Sequence, residues 1–351
     1  MIGKHINDIM QATDRLKAPN YLIIEITTEC NFKCKQCHQW MTKETDQALS
    51  TIQKLRAIEE MAHFNPSAKV LLTGGETMQK QDEFFALCEQ ARRFGLQVIA
   101  NTNGSYINDS NILDVVKNGP HYLLLSLDSH IEELHRFMRG TRDSYQHLLS
   151  IIPQMVDLRN QHGSSNKIYT HTIIFKENID VWGDYIEFAR EKLKVDAVYF
   201  QLLKETLRNQ GEKDPFFEKH FFDDIPKAAS IISEIIEKYK NDPFMGAFEY
   251  DLQMMKNELY RPKNIELGVC TSSSKNIFID SYGWVQLCLN MHEILPLDFI
   301  GNYKDLTIKD IWHSEKAKEA RTIMSVCTKN CGMLNCHRKA RNESKQQDIY
   351  Y

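Results

Sequence analysis

From residue 21 to residue 203, short apolar runs alternate with longer stretches whose apolar residues recur at helical spacing. Residues 21–28 (YLIIEITT), 69–73, 96–100, 122–127, 167–175 and 197–203 predict six strands. Residues 51–65, 83–94, 107–118, 144–162 and 181–193 predict helices between them. In the first of these, Ile52, Leu55, Ile58 and Met61 fall on one side. Several strands are continuously apolar, as parallel strands covered on both faces are. Repeated strand–helix units imply an α/β fold with right-handed crossovers. Six units fall short of the eight in a closed barrel, so the pattern predicts a partial (β/α)6 barrel.

Outside that region the pattern changes. Residues 1–20 read as a helical lead-in and 21–205 as the barrel. Residues 206–264 read as a helical connector whose clearest helix is 228–239, and 265–351 as a small C-terminal domain. The run at 216–222 (FFEKHFF) reads as core packing or domain docking. In the last domain, 276–280 and 284–289 flank Ser281-Tyr-Gly and predict a β-hairpin, followed by a helix at 305–320. The chain of 351 residues carries 43 basic and 47 acidic side chains, net −4. That balance argues against a general nucleic-acid-binding surface, though not against a local basic patch. No run of about 18 apolar residues exists to span a membrane. The first residues lack the apolar centre of a signal peptide, so the expectation is a cytoplasmic protein.

Nine cysteines change the picture most. In a reducing compartment, clustered cysteines read first as metal or cluster ligands. Cys88 stands alone in a helical pattern and reads as a small buried hydrophobe. Cys30, Cys34 and Cys37 directly follow the first strand, in the spacing C-x3-C-x2-C. Loops at the C-terminal ends of parallel strands are where such sheets place chemistry. An ordinary [4Fe–4S] cluster takes four cysteines, so three leave one iron open for an exogenous ligand. A Cys3His zinc site using His38 is the competing reading; it would make the chain a zinc-stabilised binding module without redox chemistry. A cluster protein that only carries electrons is a third.

The triplet resembles the signature of the radical S-adenosylmethionine (radical SAM) superfamily, whose usual fold is a six-unit partial barrel. In that family the three cysteines hold a [4Fe–4S] cluster, and SAM chelates the fourth iron. One electron cleaves SAM to methionine and a 5′-deoxyadenosyl radical, which abstracts hydrogen. Gly74-Gly75-Glu76 resembles the family's GGE motif, whose acid contacts the SAM amine, though Thr77 replaces the common proline. Thr102-Asn103 after the third strand resembles a recurrent polar feature at the cavity mouth. Ser126 and Asp128 resemble the position that bonds the SAM ribose. His135-x3-Arg139-Gly140 resembles a further family stretch, and Arg139 suits the SAM carboxylate. Glu177-Asn178 resembles another polar pair. Gln36 stands where an aromatic often precedes the third cysteine, with Phe32 or Trp40 as possible substitutes.

Cys270-x12-Gly283-x4-Cys288, then Cys327, Cys331 and Cys336, resemble the C-terminal auxiliary-cluster domains called SPASM or, in shorter form, twitch. Five cysteines suffice for one auxiliary [4Fe–4S] cluster and leave the choice among the last three open. His292, His313 and His337 read as surface or packing residues. The resemblance implies an electron donor such as flavodoxin or ferredoxin. It also implies a peptide or protein substrate (oxidation, crosslinking or epimerisation), or alternatively a small metabolite, sugar or nucleotide. Tyr199, Phe200 and Gln201 at the sixth strand read as barrel core or pocket lining.

Overall fold

Residues 17–205, 214–246, 249–261, 271–291 and 299–327 are described by the computed structural model of the chain. The predicted strands form β1 (Tyr21–Glu25), β2 (Lys69–Thr73), β3 (Gln97–Thr102), β4 (Tyr122–Ser126), β5 (Lys167–Ile174) and β6 (Ala197–Leu202). Each pairs in parallel with the next. The intervening helices are α1 (Thr51–Phe64), α2 (Gln81–Arg93), α3 (Ile112–Asn118), α4 (Glu132–Arg139), α5 (Ser144–Gln161) and α6 (Trp182–Phe188). The α/β partial barrel is thus formed. The short helix α4 is an addition to the predicted set.

Alternation along each strand sorts side chains to two faces. Leu22, Ile24, Val70, Leu72, Val98 and Leu123 join the large core beneath the helices, where Cys88 is also wholly buried. Ile23, Leu71, Ile99, Leu124, Tyr169 and Tyr199 fill the inside of the barrel. Tyr169 stacks on Tyr122 at 6.1 Å and meets Tyr199 edge-on at 5.4 Å. The inner face is therefore plugged at its base. Towards the strand ends, the same face carries the polar residues Glu25, Ser126, His171 and Gln201. Phe200 points the other way, against Trp182 at 4.9 Å.

Helix α1 keeps Ile58 and Met61 of the expected stripe buried and Leu55 packed against the core, but the stripe is shifted. Lys54, Ala57, Ile58, Met61 and Ala62 face inward, while Ile52 is 77% exposed. The stripe keeps the i, i+3, i+4, i+7 spacing but includes a lysine. Lys54 Nζ donates to the Ile26 carbonyl at 2.5 Å and meets Glu83 at 2.9 Å. An ammonium supplied with an acceptor and a counter-charge can occupy a core position.

The C-terminal hairpin does not stand apart. Strand β7 (Asn276–Ile279) pairs in parallel with β1, and β8 (Trp284–Gln286) and β9 (Gly301–Asn302) follow antiparallel. The sheet order is β6-β5-β4-β3-β2-β1-β7-β8-β9. β1 gains a second neighbour, which explains why all five of its residues are buried. At the junction, Ser281 N–H donates to Glu25 Oε2 at 3.1 Å. Next to it, Asp280 Oδ1 accepts from Tyr282 N–H (2.9 Å) and Trp284 N–H (2.8 Å).

Helices α7 (Pro215–His220), α8 (Ile225–Lys238) and α9 (Glu249–Glu258) occupy the expected connector, and α10 (Ser272–Lys275) precedes β7. Phe217 is buried with Met138 and Phe175, so the aromatic run does pack as core. The single helix expected at 305–320 is two, α11 (Ile308–His313) and α12 (Glu315–Met324). Ser314 breaks the run because it is extended and its hydroxyl accepts from Ala317 N–H as an N-cap. The lead-in at 1–16 lies outside the described residues, as do Cys270, Cys331, Cys336, His292 and His337. Among the described residues, no helix is long and apolar enough to cross a membrane.

Two stability predictions follow from these buried charges. Burial, aided by Glu25, pushes the Asp280 carboxyl up to about 6. Its folded pKa thus lies above the unfolded value of about 3.9, so stability is given up as pH rises from about 4 to about 6. Asp280→Asn keeps the acceptor oxygen; in urea unfolding it should be more stable than the parent at pH 8, by on the order of 1–2 kcal/mol. That gain should vanish below about pH 4. Separately, Glu83→Ala strands the buried Lys54 and should cost about 3 kcal/mol. The paired change Lys54→Met/Glu83→Gln should cost less than that single one, because no charge is left alone.

Candidate active site at the strand ends

The chain leaves β1 through Ile26–Glu29 and enters the cysteine loop. Backbone contacts fix that exit. Gly75 N–H donates to the Thr27 carbonyl, and Glu76 N–H to the Glu29 carbonyl, both at 2.8 Å. A Cβ on Gly75 would stand 1.9 Å from the Glu29 oxygen. Only glycine permits backbone to lie on backbone so closely. The far end of the loop is held similarly. Lys35 N–H donates to the Met138 carbonyl at 2.9 Å. Gly140, at φ +66°, ends α4 where a Cβ would stand 2.5 Å from the Lys33 oxygen. The glycines of both motifs thus grip the loop itself.

Two of the three thiols accept a backbone hydrogen bond. Phe32 N–H donates to Cys30 Sγ and Gln39 N–H to Cys37 Sγ, both at 3.4 Å. The Arg139 charge acts on the third, Cys34. Burial pushes the Cys30 thiol up to about 12 and the Cys34 thiol up to about 11, the latter against the pull of Arg139. Metal binding here therefore displaces protons. Beside the cysteines, Thr28 Oγ1, Gln36 Oε1 and Trp40 Nε1 are buried without hydrogen-bond partners. Backbone donors on two of the sulfurs, a buried cation acting on the third and orphaned polar atoms suit an anionic iron–sulfur centre with a polar ligand. Among the described residues, no three His, Cys, Asp or Glu side chains converge on one ion position. Phe32 is buried, and Lys33 Nζ lies 5.6 Å over the Trp40 ring.

Glu76 is 1% exposed. Oε1 accepts from the Thr102 hydroxyl (2.6 Å) and Met78 N–H (2.9 Å), and Oε2 from Asn103 N–H (2.8 Å). Burial raises its pKa, while these three bonds favour the charged form. Thr102 is thus turned to Glu76 rather than to the mouth. Asn103 reaches the cysteine loop, its amide donating to Asn31 Oδ1 at 3.0 Å.

Opposite lies a buried ion pair. Arg139 Nε and Nη2 donate to Asp128 Oδ2 (2.6 Å) and Oδ1 (2.8 Å). Asp128 Oδ1 also accepts from Ile173 N–H at 3.0 Å. Burial works against the Arg139 charge, but Asp128 and Cys34 outweigh it and hold its pKa above the ordinary value. Asn178 ties the strands here, its amide donating to the carbonyls of Asp128 (2.9 Å) and Ile173 (2.8 Å). His135 accepts from Asp128 N–H at 3.3 Å and lies 3.0 Å from the Ser144 hydroxyl. Burial pushes His135 down to about 4, so the ring is neutral. Glu177 turns away to His220 at 2.6 Å. Ser126 is half-buried on the inner face, in register with His171.

His171 was not among the expected site residues. Burial and Arg139 push it down to about 4, so the barrel mouth holds a second neutral imidazole. Glu258 on α9 is buried and pushed up to about 7, with Lys204 opposing, but no contact joins it to these residues. Strand alternation places His171 beside Ser126, but its chemistry depends on Arg139, which no local pattern reveals. Of the auxiliary cysteines, Cys288 and Cys327 lie within the described residues, at the end of the hairpin and after α12.

Residues 24–189 match the radical SAM superfamily, and residues 270–337 match SPASM, an iron–sulfur cluster-binding domain. The AdoMet-dependent heme synthase of Methanosarcina barkeri is 23% identical over 309 residues, which cover 85% of this chain and 83% of that protein. The probable GTP 3′,8-cyclase of Thermoplasma volcanium is 23% identical over 199 residues. That match spans only 58% of the cyclase and 57% of this chain. Streptococcus suis SuiB bound to S-adenosylmethionine superposes with a TM-score of 0.69 at 18% identity, covering 93% of this chain and 74% of SuiB. SuiB bound to its precursor peptide SuiA gives 0.68. These likenesses establish the fold. The two domains bring a SAM-binding [4Fe–4S] cluster, SAM itself and an auxiliary iron–sulfur centre. The chain belongs to the radical SAM superfamily of enzymes and carries a SPASM domain behind its partial barrel.

Proposed function

We propose that the protein cleaves SAM reductively and uses the product to abstract hydrogen from a peptide or protein substrate. The reading rests above all on the thiol loop after β1, with backbone hydrogen bonds to Cys30 and Cys37 and the Arg139 charge acting on Cys34. Cys30, Cys34 and Cys37 are the proposed cluster ligands. With SAM bound, the cluster supplies one-electron cleavage that ends in hydrogen-atom abstraction.

The chain's residues orient and neutralise. A carboxylate has about four acceptor sites. Glu76 has three of them filled, so the remaining site on Oε2 suits the SAM ammonium, which would also offset its burial. Arg139 gives two of its five donors to Asp128, and the others remain for Cys34 and a carboxylate. Gly74 and Gly75 shape the approach, Thr102 and Asn103 hold Glu76, and Ser126 and Asp128 face the nucleoside end. Cys270, Cys288 and two of Cys327, Cys331 and Cys336 are assigned to the auxiliary cluster. A flavodoxin or ferredoxin would deliver the electron.

The peptide assignment draws on the fold shared with SuiB, which has been solved with its precursor peptide. A small-metabolite substrate is the second reading, favoured by relatives named as heme synthase and GTP cyclase. Stimulation of 5′-deoxyadenosine formation separates them. A peptide substrate predicts stimulation by the non-dialysable fraction of a source-cell extract, lost on protease treatment. A metabolite predicts stimulation by the dialysable fraction.

The core chemistry is tested without substrate. Reduced, reconstituted protein should form 5′-deoxyadenosine from SAM, and Cys34→Ala should abolish this. Cleavage by Cys34→Ala at the parent rate would contradict the assignment. Glu76→Gln and Arg139→Lys should each weaken SAM binding by on the order of 1.5–3 kcal/mol while retaining iron. Unchanged affinity by equilibrium dialysis would remove that residue from the site.

A further inference from the structure

Strand β8 runs into Cys288, and the chain then folds back on it. Met291 N–H donates to the Cys288 carbonyl at 3.1 Å, and Asn290 N–H donates to Cys288 Sγ at 3.3 Å. The Asn290 side chain is anomalous. The residue is 0% exposed, yet both its amide nitrogen and its amide oxygen lack a hydrogen-bond partner. Buried amides are nearly always satisfied, because leaving one unpaired forfeits its hydration for nothing. An orphaned amide two residues from a candidate cluster ligand calls for a partner that belongs there.

A second side chain points to the chemistry of that partner. Arg321 on α12 is 4% exposed. Its guanidinium donates to the carbonyls of Ser273 (3.1 Å) and Trp312 (2.8 Å) and lies 4.3 Å over the Trp312 ring. No carboxylate pairs with it among the described residues, and burial alone lowers it to about 10. Ser273 lies three positions after Cys270. The C-terminal region thus buries a cation that no carboxylate among the described residues pairs, and an amide with no partner. A thiolate-ligated iron–sulfur cluster is anionic and presents sulfur acceptors, so it suits the cation and the Asn290 amide nitrogen, though not the amide oxygen.

We propose that the Asn290 amide donates to a sulfur of the auxiliary cluster and so raises that cluster's reduction potential. This rests on the assignment of Cys288 to the auxiliary cluster. Donors to cluster sulfurs favour the reduced, more negatively charged state, so their loss makes reduction harder.

The test uses the full chain carrying Cys30/Cys34/Cys37→Ala, so that only the auxiliary centre contributes, with the potential read by EPR-monitored titration. This parent should hold about four irons. Asn290→Leu should keep the iron and titrate at a more negative potential. Asn290→Asp, which adds a negative charge, should be more negative still. If leucine is too bulky for assembly, Asn290→Ala removes the donor without filling space and decides in its place. Full iron with an unmoved potential in the donor-free variants would overturn this proposal alone, and would mean that a buried water satisfies the amide. A parent without iron would overturn the auxiliary-cluster assignment, and this proposal with it.

Discussion

The cysteine loop is held by backbone lying on backbone, and the geometry of the site depends on that contact. Gly75 lies against the carbonyl of Glu29, one residue before Cys30, and Gly140 against that of Lys33, one residue before Cys34. Neither position has room for a methyl group. The first contact ties the exit of β2 to that of β1. The second ties the end of α4, and with it Arg139, to the loop's middle. A loop of eight residues carrying three thiols has no core of its own. Its neighbours determine where the sulfurs sit, and they do so through the motifs that also carry Glu76 and Arg139.

Charge is arranged around that frame in a low-dielectric setting. Glu76 and Asp128 are almost wholly buried, and each is surrounded by hydrogen-bond donors. Arg139 pairs with Asp128 and acts on Cys34, so a thiol of the loop senses the β4–β5 side of the barrel. His135 and His171, both pushed down to about 4, add dipoles without adding charge. Below them the tyrosine-lined plug closes the barrel. Any reacting group is thereby confined to the polar tier at the strand ends, the place where a reactive intermediate is best kept from solvent.

Much of this was legible in the sequence, for physical reasons. Buried parallel strands leave apolar runs, and the order of motifs at successive strand ends follows the order of the strands. The cysteine spacing is local and survives in one dimension. Long-range facts left little trace. Nothing near 276–279 announces that this strand will pair with β1. Lys54 breaks the apolar stripe of α1 because its partners, Ile26 and Glu83, lie 28 and 29 positions away. The motif pattern put Thr102 at the cavity mouth and gave no sign of its turn inward to Glu76. The orphaned amide of Asn290 is invisible without burial and partner information, since asparagine after a strand ordinarily marks a turn.

The central claim is that the chain holds two separate iron–sulfur centres, one on the β1 loop and one in the SPASM domain. Iron, sulfide and zinc content after anaerobic reconstitution tests it most directly, with the Cys30/Cys34/Cys37→Ala protein measured alongside. The account predicts about eight irons per chain, falling to about four in the triple variant. Stoichiometric zinc without iron, or an iron content that the three substitutions leave unchanged, would contradict it.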